Sequence, residues 1–345
     1  MIPLTTTSCQ SPTDDEAHWQ RALAEAFRQP EALLAAVGLS PTQIDGGIDT
    51  DNAFPLRVPR GYVERMQYGN PSDPLLLQVL SRGVETDLQP GFSSDPVGDG
   101  PALAAPGLLH KYHGRVLLVT TGACPIHCRY CFRRHYPYGE QRAEGRTWQQ
   151  AMNYIAADPS IQEVILSGGD PLTLTTARLG EITDALRRIP HIRRLRIHSR
   201  MPIVLPERID RALQAWLTDL PWQTVLVTHC NHPRELDAAV CRALGSLRET
   251  GVTLLNQAVL LRHINDNSDT LTALSEALFA AAVMPYYLHL LDRVEGAAHF
   301  EVDEATALDL METLQLRLPG FLVPRLVREV AGQPYKRPVT ARPCR

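Results

Sequence analysis

From residue 115 onward, short apolar runs and helical stretches alternate with a regularity that few folds accommodate. Runs suited to buried strands lie at Val116–Thr121, Glu163–Leu166, Leu195–His198, Thr224–Thr228, Val252–Val259 and Pro285–Leu290. Helical stretches fill the gaps near Thr147–Ala157, Thr175–Ile189, Pro206–Leu217, Pro233–Thr250, Asp269–Ala282 and Asp303–Leu316. A last apolar stretch, Phe321–Val327, leads into the tail. Strands separated by helices are expected to lie parallel, with helices covering them. Six such units fit either a doubly wound sheet or a barrel. No G-x-G-x-x-G follows the first strand, which favours an α/β fold of the incomplete (β/α)6 barrel kind. In such barrels the chemistry sits in the loops where strands end.

Ahead of this unit, Asp14-Asp15-Glu16 can cap a helix running to Arg28, and Pro30–Val37 ends at Gly38. Asp49–Arg57 reads as loop and Pro59–Tyr68 as another short helix. Gln89–Gly107, rich in Gly, Pro, Ser and Asp, reads as a long loop. The expected division is a helical region and linker at 1–108, the barrel at 109–320, and a C-terminal strand and tail at 321–345. No internal repeat is evident.

Three cysteines crowd into Cys124-Pro-Ile-His-Cys-Arg-Tyr-Cys131, directly after the first strand, whereas Cys9, Cys230, Cys241 and Cys344 are scattered. That is poor material for a disulfide framework and reads as a metal or redox site in a reducing compartment. Structural zinc and closed iron–sulfur clusters usually take four protein ligands. Three cysteines leave either an iron open to an outside ligand or a zinc site completed by His127 or His135. The second strand ends in Ser167-Gly168-Gly169-Asp170 on the same rim. Its glycines allow close backbone approach and Asp170 can accept from an ammonium, although Gly-Gly-Asp is also an ordinary turn. Among 34 Lys and Arg residues only Lys111 and Lys336 are lysine. Any chemistry that needs an amine therefore has two candidates.

With 44% hydrophobic and 21% charged residues the chain has the composition of a soluble globular protein. A net charge of −4 gives no basis for a nucleic-acid surface. The start lacks a basic segment followed by an apolar core, and the run Ala277–Leu288 is interrupted by Pro285 and falls short of the ~20 residues that span a bilayer. The expectation is a cytoplasmic protein with neither a membrane nor a nucleic-acid partner.

The C-x3-C-x2-C triplet after the first barrel strand resembles the radical S-adenosylmethionine superfamily. The resemblance implies a 4Fe–4S cluster on Cys124, Cys128 and Cys131, with S-adenosylmethionine chelating the open iron. It also implies contacts to S-adenosylmethionine from Ser167, Gly168, Gly169 and Asp170, and from His229 and Gln257 at later strand ends. Further motifs occur in the order found in lysine 2,3-aminomutases. They are Arg133-Arg134, Leu166–Asp170, His198–Arg208, His232–Glu235, Asn256–Leu261 with Asn265-Asp266, and Pro285–Tyr287 with His299-Phe300. This likeness spans residues 60–340.

The second resemblance implies an isomerase that uses pyridoxal 5′-phosphate as a Schiff base on Lys336, with Lys111 and Arg115 near the phosphate. Arg133 would hold the carboxylate of L-lysine, with Asp266 and Glu329 gripping its distant ammonium. Glu329 is one methylene longer than the family's usual aspartate. The family's glycine-rich approach to the lysine is replaced by Ala331-Gly-Gln-Pro-Tyr335. The chain ends nine residues after Lys336, and Trp19, Leu23, Phe27, Pro30 and Leu33-Leu34 resemble the short form of the family. That form makes (R)-β-lysine for attachment to elongation factor P. An electron donor of flavodoxin or ferredoxin type and a possible homo-oligomer are further implied partners. The competing readings are a stand-alone lysine aminomutase for catabolism or osmolyte synthesis, and a non-enzymatic iron–sulfur or zinc protein.

Overall fold

The computed structural model describes residues 12–49, 54–139 and 145–340. Ten strands form one sheet: β1 (Leu103–Ala105), β2 (Leu108–Tyr112), β3 (Arg115–Thr121), β4 (Glu163–Gly168), β5 (Arg194–Ser199), β6 (Gln223–Thr228), β7 (Thr253–Val259), β8 (Met284–His289), β9 (Arg325–Arg328) and β10 (Arg337–Pro338). Their spatial order is their sequence order, and β3 to β9 are all parallel. A doubly wound sheet reverses direction at a switch point. No reversal occurs here, so the incomplete barrel is the correct alternative. The parallel part has seven strands, because the apolar stretch after the last helix supplies β9 against β8.

Side chains along these strands alternate. Leu195 and Ile197 point outward and are completely buried under helices, whereas Arg196 and His198 line the interior. The same two-residue period places Ile165 and Ser167, Val227 and His229, and Tyr287 and His289 inside. The interior face is thus partly polar and encloses a cavity, while the outer face carries the core. Five covering helices start on side-chain caps, with Thr175, Asp210, Asp237, Asn267 and Asp303 each accepting from a backbone N–H three residues on. Each cap stabilises its helix by about 1 kcal/mol.

Several sequence expectations differ from the structure: the first helix ends at Ala24, short of Arg28, and the one expected at Pro59–Tyr68 is a single turn at Arg60–Val63. The supposed loop before the barrel contains β1, joined to β2 by Pro106-Gly107, with Gly107 at φ +73°. A second tight turn, His113-Gly114, leads back into β3. The helix expected at Pro206–Leu217 is broken: a 3-10 turn at Pro206–Arg208 precedes a helix that starts afresh at Arg211, capped by Asp210. Buried Arg208 donates to the carbonyls of Leu172 and Leu174, which holds the break. The helix expected from Pro233 starts at Ala238 for the same kind of reason, with Asp237 as its cap.

The N-terminal segment is integral to the site. Arg129, inside the cysteine loop, is fully buried and forms a two-pronged ion pair with Glu85, while its backbone N–H donates to Gln78. Of the residues expected in the loop 49–57, 50–53 lie outside the described residues. Cys9 and Cys344 also fall outside them. Among the described residues no helix is long and apolar enough to cross a membrane.

Candidate active site

The strand ends open into one cavity of about 1350 Å³. Cys124, Cys128 and Cys131 line it from the loop after β3. Among the described residues, no three His, Cys, Asp or Glu side chains converge closely enough to hold a single ion. The three thiols share one wall of the cavity, the donor set that an iron–sulfur cluster takes. Of the two histidines that could complete a zinc site, one ring nitrogen of His127 lies 2.7 Å from the Pro55 carbonyl and one of His135 3.3 Å from the Glu295 carbonyl. Burial pushes the Cys124 thiol well up and the Cys131 thiol up to about 11. Such thiols keep their protons until cations replace them.

Ser167, Gly168, Gly169 and Asp170 pass directly beside the cysteine loop. A Cβ on Gly168 would sit 2.5 Å from the Thr121 carbonyl oxygen, and one on Gly169 would sit 2.3 Å from that of Ala123. Only glycine permits this contact. Asp170 is occupied in holding the rim together. One oxygen accepts from Ser199 Oγ at 2.7 Å and Leu172 N at 3.0 Å; the other accepts from Arg200 N at 2.7 Å and Met201 N at 3.1 Å. Its carboxylate is therefore a latch between the loops after β4 and β5. The expectation that this side chain reaches an ammonium is corrected accordingly, because four donors already saturate it. His229 and Gln257 line the cavity; the His229 ring nitrogen also meets the Tyr130 hydroxyl at 2.9 Å. Burial lowers the His229 pKa to about 3, so the ring is neutral.

On the opposite wall, Lys336 Nζ donates to Glu329 Oε2 at 2.5 Å. Glu329 Oε1 accepts from Tyr112 of β2 at 2.5 Å, and Lys111 Nζ stands 3.8 Å from the same atom. The two antiparallel additions, β2 and β10, thus reach toward each other across the open side of the barrel. Lys111 precedes β3 and would lie away from the reactive rim in a simple barrel; β2 carries it into the cavity instead. Burial pushes the Glu329 carboxyl up, but the Lys336 ammonium outweighs this and holds it below its ordinary value. Arg133 Nε donates to Asp99 Oδ2 at 2.7 Å and Nη1 to Ser167 Oγ at 3.2 Å. Among the described residues two of its five N–H groups are engaged, which leaves three for an incoming carboxylate.

Asp266 is the one expected site residue that does not line the cavity. Asn265 pins the preceding turn by donating to the carbonyls of Asn231 and Val259, and Asn267 caps the next helix. Asp266 falls between these anchors, outside the cavity wall. Asp292 takes a place in that wall, and burial raises its pKa to about 7 despite the nearby Lys336 ammonium. Asp99 is a further addition, bridging Arg133 and Lys111, each at 2.7 Å. Both acids sit in irregular segments with no periodic signal, and sequence reading passed them over.

His198 and His289 line the same cavity, and the Nε2 of each is buried without a partner among the described residues. Burial, with Arg196 and Lys336 nearby, lowers the His198 pKa well below ordinary; burial and Lys336 do the same for His289. A lysine amine, basic Lys111 and Arg115, the Tyr286 and Tyr287 rings and two unsatisfied imidazole nitrogens fit a planar aromatic phosphate such as pyridoxal phosphate. The thiols and glycine backbone fit a cluster with its sulfonium ligand.

The Radical SAM superfamily pattern matches residues 118–273, and with this fold and cysteine loop it makes the chain a radical S-adenosylmethionine protein. L-lysine 2,3-aminomutase of Escherichia coli (strain K12) is 48% identical over 328 residues, 95% of this chain and 96% of that protein. The Haemophilus influenzae protein of the same name is 44% identical, covering 93% and 95%, and that of Clostridium subterminale is 31% identical, covering 93% and 77%. The chain belongs to the L-lysine 2,3-aminomutase family. Membership implies a 4Fe–4S cluster, S-adenosylmethionine and pyridoxal phosphate as cofactors.

Proposed function

We propose that the protein is an isomerase that interconverts L-α-lysine and (R)-β-lysine, moving the amino group from C2 to C3. The observation that carries this reading is that one cavity joins the three thiols to the Lys336–Glu329 pair and Asp292. When bound, the cofactors supply radical hydrogen abstraction at C3 and an aromatic ring that stabilises the unpaired electron during migration.

Cys124, Cys128 and Cys131 would hold the cluster, and Ser167, Gly168, Gly169, His229 and Gln257 are the residues available to S-adenosylmethionine. Lys336 would anchor pyridoxal phosphate, with Lys111 and Arg115 available to its phosphate. Arg133, kept in place by Asp99, presents a planar fork to the lysine carboxylate. Glu329 and Asp292 hold the distant ammonium. A carboxylate–ammonium contact near 4 Å is worth about 4 kcal/mol at an effective dielectric of 20, enough to prefer lysine over a neutral analogue.

The family resemblance supports elongation factor P as the destination of the product. A low-potential flavodoxin or ferredoxin serves as reductant, and the thiol chemistry suits the reducing cytoplasm. The deciding experiment reconstitutes the protein with iron and sulfide under anaerobic conditions. It then adds lysine, dithionite, pyridoxal phosphate and S-adenosylmethionine and separates the products by chromatography. β-Lysine is the expected product. A preparation that carries cluster and both cofactors yet leaves lysine unchanged overturns the reading.

A further inference from the structure

Behind the cysteine loop lies a buried charged assembly to which the proposed reaction assigns no role. Arg200 follows β5 and is 6% exposed. Its Nη1 donates to Cys128 Sγ at 2.7 Å, and its Nη2 donates to Gln78 Oε1 at 2.7 Å and Glu235 Oε2 at 2.8 Å. Glu235 is wholly buried, and its other oxygen accepts from the backbone of Asn231 and His232 at 2.9 and 3.1 Å. The Arg200 backbone N–H is tied to Asp170, so the latch on the glycine loop also aims this guanidinium.

A buried ion pair is a poor source of stability, because desolvation of the two charges offsets most of their attraction. Hydrophobic side chains of similar volume would fill the space at least as well. What the pair adds is a rigid cationic donor directed at a sulfur, with a carboxylate set behind it on the far side. Donors and charges at cluster sulfurs, together with burial, are what set iron–sulfur potentials.

We infer that Arg200 and Glu235 act as opposed potential-setting residues for the cluster held by Cys128. The inference rests on the proposed cluster at the three thiols. Reduction adds one electron to the cluster and no proton. The guanidinium stabilises the added negative charge, and Glu235 tempers that effect. Arg200 lines the cavity and meets the cluster's ligand at Cys128 Sγ, so we assign it as a tuning residue.

The test is a redox titration of the reconstituted protein, followed by electron paramagnetic resonance, for wild type, Arg200→Met, Glu235→Gln and the double variant. Arg200→Met is expected to shift the potential negative, lowering the reduced-to-oxidised ratio about tenfold at a fixed solution potential, or 59 mV for one electron. Glu235→Gln is expected to shift it positive. The double variant, which buries no unpaired charge, should fall between the two and keeps the test alive if Arg200→Met does not fold. Opposite signs are not expected from a merely structural pair. Unmoved potentials, or shifts of one sign in both single variants, overturn the inference. Loss of S-adenosylmethionine binding with an unmoved potential also overturns it, by assigning Arg200 to that ligand's carboxylate. If wild type assembles no four-iron cluster, the functional reading fails first, and that outcome is distinguishable from the others.

Discussion

Lys336 Nζ and Glu329 Oε2 stand 2.5 Å apart, so the chain's one tail amine is held by the carboxylate proposed to grip the substrate. Were Lys336 to anchor pyridoxal phosphate, Glu329 would be released to take the ammonium of lysine. The two proposed roles are linked through one oxygen atom.

Lys336→Ala should remove the Schiff-base absorption of pyridoxal phosphate and abolish β-lysine formation, while the iron–sulfur absorption stays at the wild-type level. Spectra recorded after reconstitution check both bands in one sample. Retention of the pyridoxal band would move the anchor to Lys111.

Glu329→Gln keeps the shape and removes the charge. A charged hydrogen bond contributes about 2 kcal/mol, so kcat/KM for lysine should fall roughly thirtyfold. Binding of norleucine, which lacks the side-chain ammonium, should hardly change. Equal losses for both ligands would show that Glu329 acts through Lys336 or Tyr112.

Asp292 and Asp266 make opposite predictions. With a pKa of about 7, Asp292 is largely protonated at pH 6 and ionised at pH 8. Lysine affinity should therefore rise with pH through 7, and Asp292→Asn should flatten that rise and weaken binding. The stability sign is the reverse. The folded pKa lies above the unfolded value near 3.9, so the folded state binds more protons between about pH 4 and pH 7. Stability from this group is present below that window and is lost as pH rises through it. Asp266→Asn should leave lysine kinetics within about twofold, as expected of a side chain outside the cavity. Steady-state kinetics and thermal melts from pH 5.5 to 8.5 separate the two residues.

Gly169→Ala should destabilise the fold by about 1–3 kcal/mol through overpacking against the Ala123 carbonyl. The displaced carbonyl belongs to the cysteine loop, so cluster occupancy should drop as well. Iron per chain and melting temperature, measured together, check it; normal iron with a lowered melting temperature would confine the effect to packing.

Much of this was legible in order. Residues 115–327 read as a βα barrel because short apolar runs alternate with helical stretches, which is a local property. The cysteine triplet and the Ser167–Asp170 turn were visible because each is contiguous and falls at a strand end. The hairpin β1–β2 announced itself only as Pro106-Gly107 inside a polar stretch, and its strands are too short for periodicity to mark them. Asp99 and Asp292 lie in irregular loops where an acid at one position looks like an acid at any other.

By itself the sequence determined the strand alternation, the cysteine spacing and the scarcity of lysine, since each depends on residue type and on separation along the chain. Tertiary structure alone decided that Lys111 enters the cavity, that Asp292 and not Asp266 lines it, and that Arg200 points at Cys128. Those facts depend on where edge strands fold across the barrel mouth and which donors saturate each carboxylate, and contacts between residues 72 to 217 positions apart leave no trace in local pattern.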